Sequence, residues 1–313
     1  MNVAVVIPTY NRSQLLVETL ESVRAQVLVP SQILVVDDGS TDDTASAMEP
    51  YRHQGVGYVY QENAHLSAAR NTGTRHLNPE IEAVLYLDSD DRLLPDTLHR
   101  LIAALQNNPS APLAYGRPRY MDPAGKPIAQ EWGLEDFEGT QVYRHLMNRN
   151  FICTAGCVLI RRTALEAAGQ WDTALRSSED WDMWLRLAET GNRFLRVANP
   201  ELPVLEYRVH PESMSRNSAR MRESELMVCR KHRDRAEPGS ARREEWERMV
   251  QEREERIRAA VEDGVSLDEA WLSPRHRLLR RCIEATGVAR LYRRVPLSVR
   301  LRLRSVFGID RWA

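Results

Sequence analysis

Ala83-Val84-Leu85-Tyr86-Leu87-Asp88-Ser89-Asp90-Asp91 is the stretch on which the fold turns. Its apolar run reads as a strand covered on both faces, as in a parallel sheet. The run then breaks into acids, and an open α/β sheet gathers its ligands just past the carboxyl ends of its strands. Residues two apart at a strand end project to the same side, so the spacing predicts that Asp88 and Asp90 reach one cation. Two hard oxygens suit Mg²⁺ or Mn²⁺ held together with substrate phosphates. A polar strand-to-helix loop with no ligand reads the same way, and a bare Asp-x-Asp is common by chance.

The same rhythm extends outward from that stretch. Residues 3–7 form an apolar strand stopped at Pro8, residues 33–36 a second ending in Asp37-Asp38-Gly39-Ser40, and residues 56–60 a third. Helical spacing fills the intervals: Leu16, Leu20 and Val23 mark one inner face, residues 66–76 form another helix, and Leu98, Leu101, Ile102 and Leu105 mark a helix entered near Pro95. Asn11 is expected to cap the first helix with Gln14 at N3, and Ser40 the next with Asp43 at N3. Between 111 and 150, Pro112, Pro118, Pro123, Gly125 and Pro127 break up any long element. Order returns with a strand at 157–160, a helix closed by Gly169, a helix from Glu179 to Thr190, and strand-like runs at 193–197 and 205–209. The expected fold class is α/β, a mainly parallel sheet flanked by helices with a C-terminal α-helical extension. The expected domains are 1–215, divided into halves 1–110 and 111–215, and 216–313.

Bulk composition narrows the class. Of 313 residues, 42% are hydrophobic and 28% charged, which suits a packed globular core rather than disorder. Cys153, Cys157, Cys229 and Cys282 are too scattered for a disulfide framework and lack a zinc spacing, so reduced thiols are expected. No stretch approaches the roughly 20 apolar residues of a membrane span, and residues 3–7 are too short for a signal h-region. The expectation is a cytoplasmic protein, soluble or peripheral on the inner face of the cell membrane.

Two further acidic clusters carry chemistry. Asp37-Asp38 makes a turn and can equally accept hydrogen bonds from a nucleobase N–H or ribose hydroxyls. Glu179-Asp180 opens a helix, where acids are favoured by the macrodipole; a carboxylate there can also serve as a general base.

The order of these motifs is specific. Pro8-Thr9-Tyr10-Asn11, then Val35-Val36-Asp37-Asp38-Gly39-Ser40, Ala69-Arg70-Asn71-Thr72-Gly73, Leu87-Asp88-Ser89-Asp90-Asp91 and Ser178-Glu179-Asp180 together resemble the family 2 glycosyltransferases, over residues 1 to about 215. Gly169-Gln170-Trp171-Asp172 resembles the family's lead-in to the acidic pair, and Tyr207-Arg208-Val209-His210 resembles the family's segment after that pair. The resemblance implies a GT-A fold and an inverting, non-processive transfer of one sugar from a UDP- or dTDP-type donor to an acceptor hydroxyl. It assigns Pro8, Thr9, Tyr10, Asn11, Asp38 and Arg70 to the nucleotide, Asp88 and Ser89 to the ribose side, and Asp90, Asp88 and His210 to a divalent metal, Mn or Mg. Asp180 becomes the catalytic base and Glu179 its helper. A guanidinium at position 70 also has its own logic as a charge-assisted donor to a diphosphate. Two departures stand out: His65 falls where members often carry glycine, and no Gln-x-x-Arg-Trp motif of processive synthases is present.

The tail is different in kind. Residues 275–313 hold eleven arginines against Glu284 and Asp310, interleaved with apolar residues. Basic amphipathic segments of this type lie on anionic membranes, and the alternative is a helical cap on the core. An anionic membrane surface suits a lipid-linked or glycan acceptor in bacterial surface-polysaccharide assembly. Nucleic acid is not an expected partner, since no recognised motif accompanies the charge, and homodimerisation is left open. The rival readings are a nucleotidyltransferase, which would want a glycine-rich loop after the first strand, and a non-catalytic nucleotide-sugar scaffold. A Rossmann dehydrogenase fails for want of Gly-x-Gly-x-x-Gly.

Overall fold

A computed structural model describes residues 1–129, 141–190, 193–199, 201–210 and 218–262. The basic segment 275–313 lies outside the described residues, as do residues 130–140. The chain divides into two compact units, Met1–Asn217 and Ser218–Ala313.

The first unit is built on a sheet whose centre is β1 (Val3–Thr9), buried at every position. Such a strand must be covered on both faces, and parallel neighbours with crossover helices do this. β2 (Gln32–Asp37) and β4 (Ala83–Tyr86) flank β1 in parallel, and β3 (Gly57–Tyr60) extends the sheet beyond β2. The helices between them are α1 (Ser13–Arg24), α2 (Thr44–Arg52) and α3 (His65–Arg75). Register places Thr9 opposite Asp37, while Leu87 donates its N–H to the Val6 carbonyl. The acids that follow β2 and β4 therefore emerge along one sheet edge, as the sequence predicts.

On the far side of β4 the sheet departs from strict alternation. β9 (Val158–Arg161) runs antiparallel to both β4 and β6 (Leu113–Tyr115), and β10 (Leu195–Arg196) closes the order β10-β6-β9-β4-β1-β2-β3. A second sheet, of order β5-β11-β7-β8, comprises β5 (Arg92–Leu93), β7 (Pro118–Met121), β8 (Pro127–Ile128) and β11 (Leu205–Arg208). Prolines argue against strands in this region, yet Pro118 and Pro127 are the first residues of β7 and β8. A missing N–H there costs no interior ladder bond. The remaining helices of this unit are α4 (Thr97–Gln106), α5 (Val142–Asn148), α6 (Arg162–Ala168) and α7 (Glu179–Thr190).

The expected caps are not formed. Asn11 sits at φ 51°, its N–H donating to Ser40 Oγ (2.9 Å) and its Oδ1 accepting from Thr41 N–H (2.7 Å). Both side chains thus tie the β1 and β2 loops to each other instead of closing helix ends. Asp42 takes the capping work, accepting from Ser13 N–H on one oxygen and Thr44 N–H on the other, each at 3.1 Å.

Gly73 explains part of the Ala-Arg-Asn-Thr-Gly motif. α3 lies so close to β1 that a Cβ at Gly73 would overlap the Val6 side chain. Gly73→Ala is expected to cost about 1–3 kcal/mol through overpacking, read as a lower denaturation midpoint at unchanged m-value.

The second unit contains α8 (Ser218–Arg235) and α9 (Ala241–Glu262), which pack on one another. Trp246 is fully buried between them and stacks on His232 at 5.5 Å between ring centres, while Arg230 and Glu254 pair at 2.7 Å. Among the described residues no helix is long and apolar enough to cross a membrane.

Candidate active site

Three polar clusters line the sheet edge. The first follows β2. Asp38 Oδ1 accepts from Gln61 Nε2 (2.6 Å) and Ala64 N–H (2.9 Å), and Gln61 is held in turn by Thr72 of α3. Burial raises the Asp38 carboxyl above its ordinary value against these two hydrogen bonds. Nearby, the buried Thr9 hydroxyl has no partner among the described residues, and Tyr10 is exposed. Pro8 is buried in β1. This corner offers a carboxylate, a hydroxyl and an aromatic face, a set suited to a flat heterocycle with polar edges.

The second cluster is centred on Arg70, and here the structure departs from a simple phosphate ligand. Arg70 is 1% exposed, with Nη1 on Glu179 Oε1 (2.8 Å) and Nη2 on Asp88 Oδ1 (3.0 Å). Its guanidinium lies over the Trp171 ring at 4.6 Å. Burial opposes its charge, but Asp88 and Glu179 outweigh that and hold it firmly cationic. Trp171 is itself fixed by α3, because Asn71 donates to the Trp171 carbonyl and accepts from its N–H, both at 2.8 Å. Edge contacts to Tyr86 and Trp184 complete its surroundings. One arginine thus joins the turn after β4 to the start of α7.

That junction determines the state of Asp180. Glu179 is buried and committed to Arg70, whereas Asp180 keeps part of its surface open beside Ser178, which stands at φ 57°. Burial and the neighbouring Glu179 charge push the Asp180 carboxyl up to about 7, with Arg70 opposing. A carboxyl poised near neutrality with an open face is suited to take a proton from a substrate hydroxyl. α7 is anchored by Asp182, whose pair with Arg186 (2.7 Å) lets that arginine donate to the Ala168 carbonyl at the end of α6.

The third cluster holds Asp90. Its Oδ2 meets His210 Nε2 at 2.9 Å and Arg12 Nη1 at 2.5 Å. Burial works against its charge, yet His210 and Arg12 prevail and hold the carboxyl below the usual range. Asp88 and Asp90 therefore take different partners, contrary to the expectation of one shared face. β4 ends at Tyr86, so residues 88–91 form a turn rather than a continuing strand and strand alternation no longer applies. Ser89, between them, is buried. Asp91 is buried too, accepting from Arg208 N–H (2.9 Å), and burial together with Asp90 and Asp88 raises it well above the ordinary range. Arg208 also donates to the Asp90 carbonyl (2.8 Å) and to Glu18 (2.6 Å), locking β11 against the turn. This clasp, and Trp171 as the hub of the Arg70 cluster, are what sequence reasoning missed. Arg208 and Trp171 stand inside recognised motifs, but their contacts span 118 and 100 positions.

Among the described residues no group of three or more His, Cys, Asp or Glu side chains is ready-made for an ion. Asp90 and His210 offer two donors side by side. A Mg²⁺ or Mn²⁺ ion that takes one or two protein ligands and fills its shell from phosphates and water fits that set.

The family model for glycosyl transferase family 2 matches residues 4–169, just over half of the chain, spanning the Asp38, Arg70 and Asp88–Asp90 clusters. The chain belongs to glycosyl transferase family 2. Its relatives include chondroitin synthase of Escherichia coli, 31% identical over 129 residues, or 41% of this chain and 18% of that one. Glycosyltransferase GlyA of Streptococcus pneumoniae is 36% identical over 109 residues, 33% of this chain and 15% of that one. The chain thus spans less than a fifth of the length of these curated relatives. Among solved structures, S. aureus TarS 1-349 in complex with UDP-GlcNAc superposes with a TM-score of 0.62 at 21% identity, covering 81% of this chain and 72% of that one. That likeness shows the fold, a central sheet flanked by helices as in TarS.

Within this family 2 chain, position 65 has a backbone reason to favour glycine. His65 stands at φ 69°, in the left-handed region that glycine enters without steric cost.

Proposed function

We propose that this glycosyltransferase moves one sugar from a UDP- or dTDP-type nucleotide sugar to an acceptor hydroxyl, with inversion at the anomeric carbon. The observation that carries the reading is the buried Arg70, which ties Asp88 on the donor side to the helix start that presents Asp180. The binding of TarS to UDP-GlcNAc supports a nucleotide-sugar donor on this fold. Asp38 leaves its Oδ2 to accept from the base, with Thr9, Tyr10 and Asn11 around it, while Asp88 and Ser89 face the ribose side. The acceptor oxygen attacks the anomeric carbon as its proton passes to Asp180. The carbon–oxygen bond to the diphosphate breaks with its electron pair leaving on the nucleotide. Asp90 and His210 would hold a Mg²⁺ or Mn²⁺ ion, which would neutralise charge on that leaving diphosphate. Because the leaving group is already stabilised, no second acid is needed, and Glu179 acts through Arg70 rather than on the substrate. We place the acceptor among glycans or lipid-linked sugars of surface-polysaccharide assembly, with residues 275–313 as the membrane-facing element.

Release of nucleoside diphosphate from a panel of nucleotide sugars tests this reading. Slow hydrolysis of one donor is expected with Mn²⁺ or Mg²⁺, suppressed by chelator and by Asp90→Ala, at a cost of about 10²–10³ for the loss of electrostatic stabilisation. Failure of every donor both to bind and to turn over would leave a non-catalytic scaffold.

A further inference from the structure

Arg12 has no place in the proposed chemistry, yet it makes the shortest polar contact to the carboxylate on which the metal reading depends. Its side chain is one-third exposed (33%), whereas that of Asp90 is 11% exposed. Nη1 rests 2.5 Å from Asp90 Oδ2, the same oxygen that faces His210 Nε2. A guanidinium there satisfies a mostly buried carboxylate, and removing every counter-charge from such a group is costly. A divalent ion ligated by Oδ2 would bring two positive charges against that guanidinium, at a separation and in surroundings where like charges repel strongly. The guanidinium and a divalent ion therefore compete for this oxygen.

We propose that Arg12 is the built-in competitor of the divalent ion at Asp90, so that the ion binds only by displacing this guanidinium. The inference rests on the reading of Asp90 and His210 as the ion's protein ligands. Arg12 is suited to give way. It sits at the N-terminal boundary of α1, its side chain reaches solvent, and Asn11 and Ser13 on either side are anchored separately by Ser40 and Asp42. The side chain can leave without unravelling the loop. In the ion-free protein the arginine supplies a counter-charge to Asp90, and ion binding must overcome that pairing. By linkage, weakening the pair tightens the ion, at most by the factor by which the pair had opposed it.

The test is Mn²⁺ titration of the full chain, with free ion followed by electron paramagnetic resonance, for wild type, Arg12→Gln and Asp90→Asn, each with and without UDP. Arg12→Gln is expected to bind Mn²⁺ on the order of tenfold more tightly than wild type in the absence of nucleotide, a coupling of ordinary size for linked ligands. Asp90→Asn is expected to bind more weakly than wild type, and thermal melts check that both variants are folded. If Arg12→Gln matches or falls below wild type while Mn²⁺ still binds with UDP, the competitor role is overturned and the metal site stands. Absence of Mn²⁺ binding in every variant, UDP included, would overturn the metal site and the competitor together.

Discussion

Asp180→Asn is expected to lower kcat by about 10²–10⁴-fold, with donor affinity retained. Asparagine keeps the shape and can still accept from Trp181 N–H, which bonds Asp180 Oδ1 at 2.6 Å, so the start of α7 is preserved. What it loses is the ability to take a proton. The donor-side groups, Asp38 and Asp90, belong to separate clusters and are untouched. Single-turnover transfer and calorimetric donor binding, measured on the same preparation, separate the two effects. Glu179→Gln should behave differently. Glu179 reaches Arg70 rather than open space, so its loss acts through charge and position, and an effect as large as that of Asp180→Asn would move the base to Glu179.

Arg70→Met is expected to destabilise the first unit by about 3–5 kcal/mol, because it strands Asp88 and Glu179 opposite an apolar side chain. For a unit of this size that corresponds to a fall in Tm on the order of 6–20 °C. Glu179 suffers most, its side chain being only 8% exposed. Methionine fills much of the arginine's volume and can lie on Trp171, so the loss is electrostatic more than packing. The double variant Arg70→Met with Glu179→Gln should recover part of the stability, since a neutral amide needs no counter-charge. Recovery of stability without recovery of kcat is the expected pattern. The base helix would then be folded but no longer tied to Asp88.

The β–α rhythm of the first 110 residues was legible because the buried strands are apolar runs, two of them broken by acids at Asp37 and Asp88; β1 was expected to stop at Pro8 but runs through it to Thr9. The motif order carried the family, and the structure brings Arg70, Asp88 and Glu179 into one cluster and Asp90 and His210 into another. Short strands were not legible. β5 and β8 have two residues each, too few for a period of two to register, and their pairing is decided by partners far away in the chain, whereas β10 falls inside the strand-like run at 193–197. Local rules misled at Asn11 and Ser40, which are good helix caps by type but serve the contact between two loops. Arg70 looked like a diphosphate ligand because spacing cannot report burial; its partners lie 18 and 109 positions away. Arg12 was invisible for the same reason, joined to Asp90 across 78 positions.

The pH dependence of kcat/KM tests most directly the claim that Asp180 is the base. The reactive form is the ionised carboxylate, and burial with Glu179 beside it pushes the carboxyl up to about 7. Activity is therefore predicted to fall with unit slope as pH drops below about 7, and Glu179→Gln, by removing the charge that raises it, is predicted to shift that limb to lower pH. A profile flat from about pH 5.5 to 8, or a limb that Glu179→Gln leaves in place, would contradict Asp180 as the group that takes the acceptor's proton.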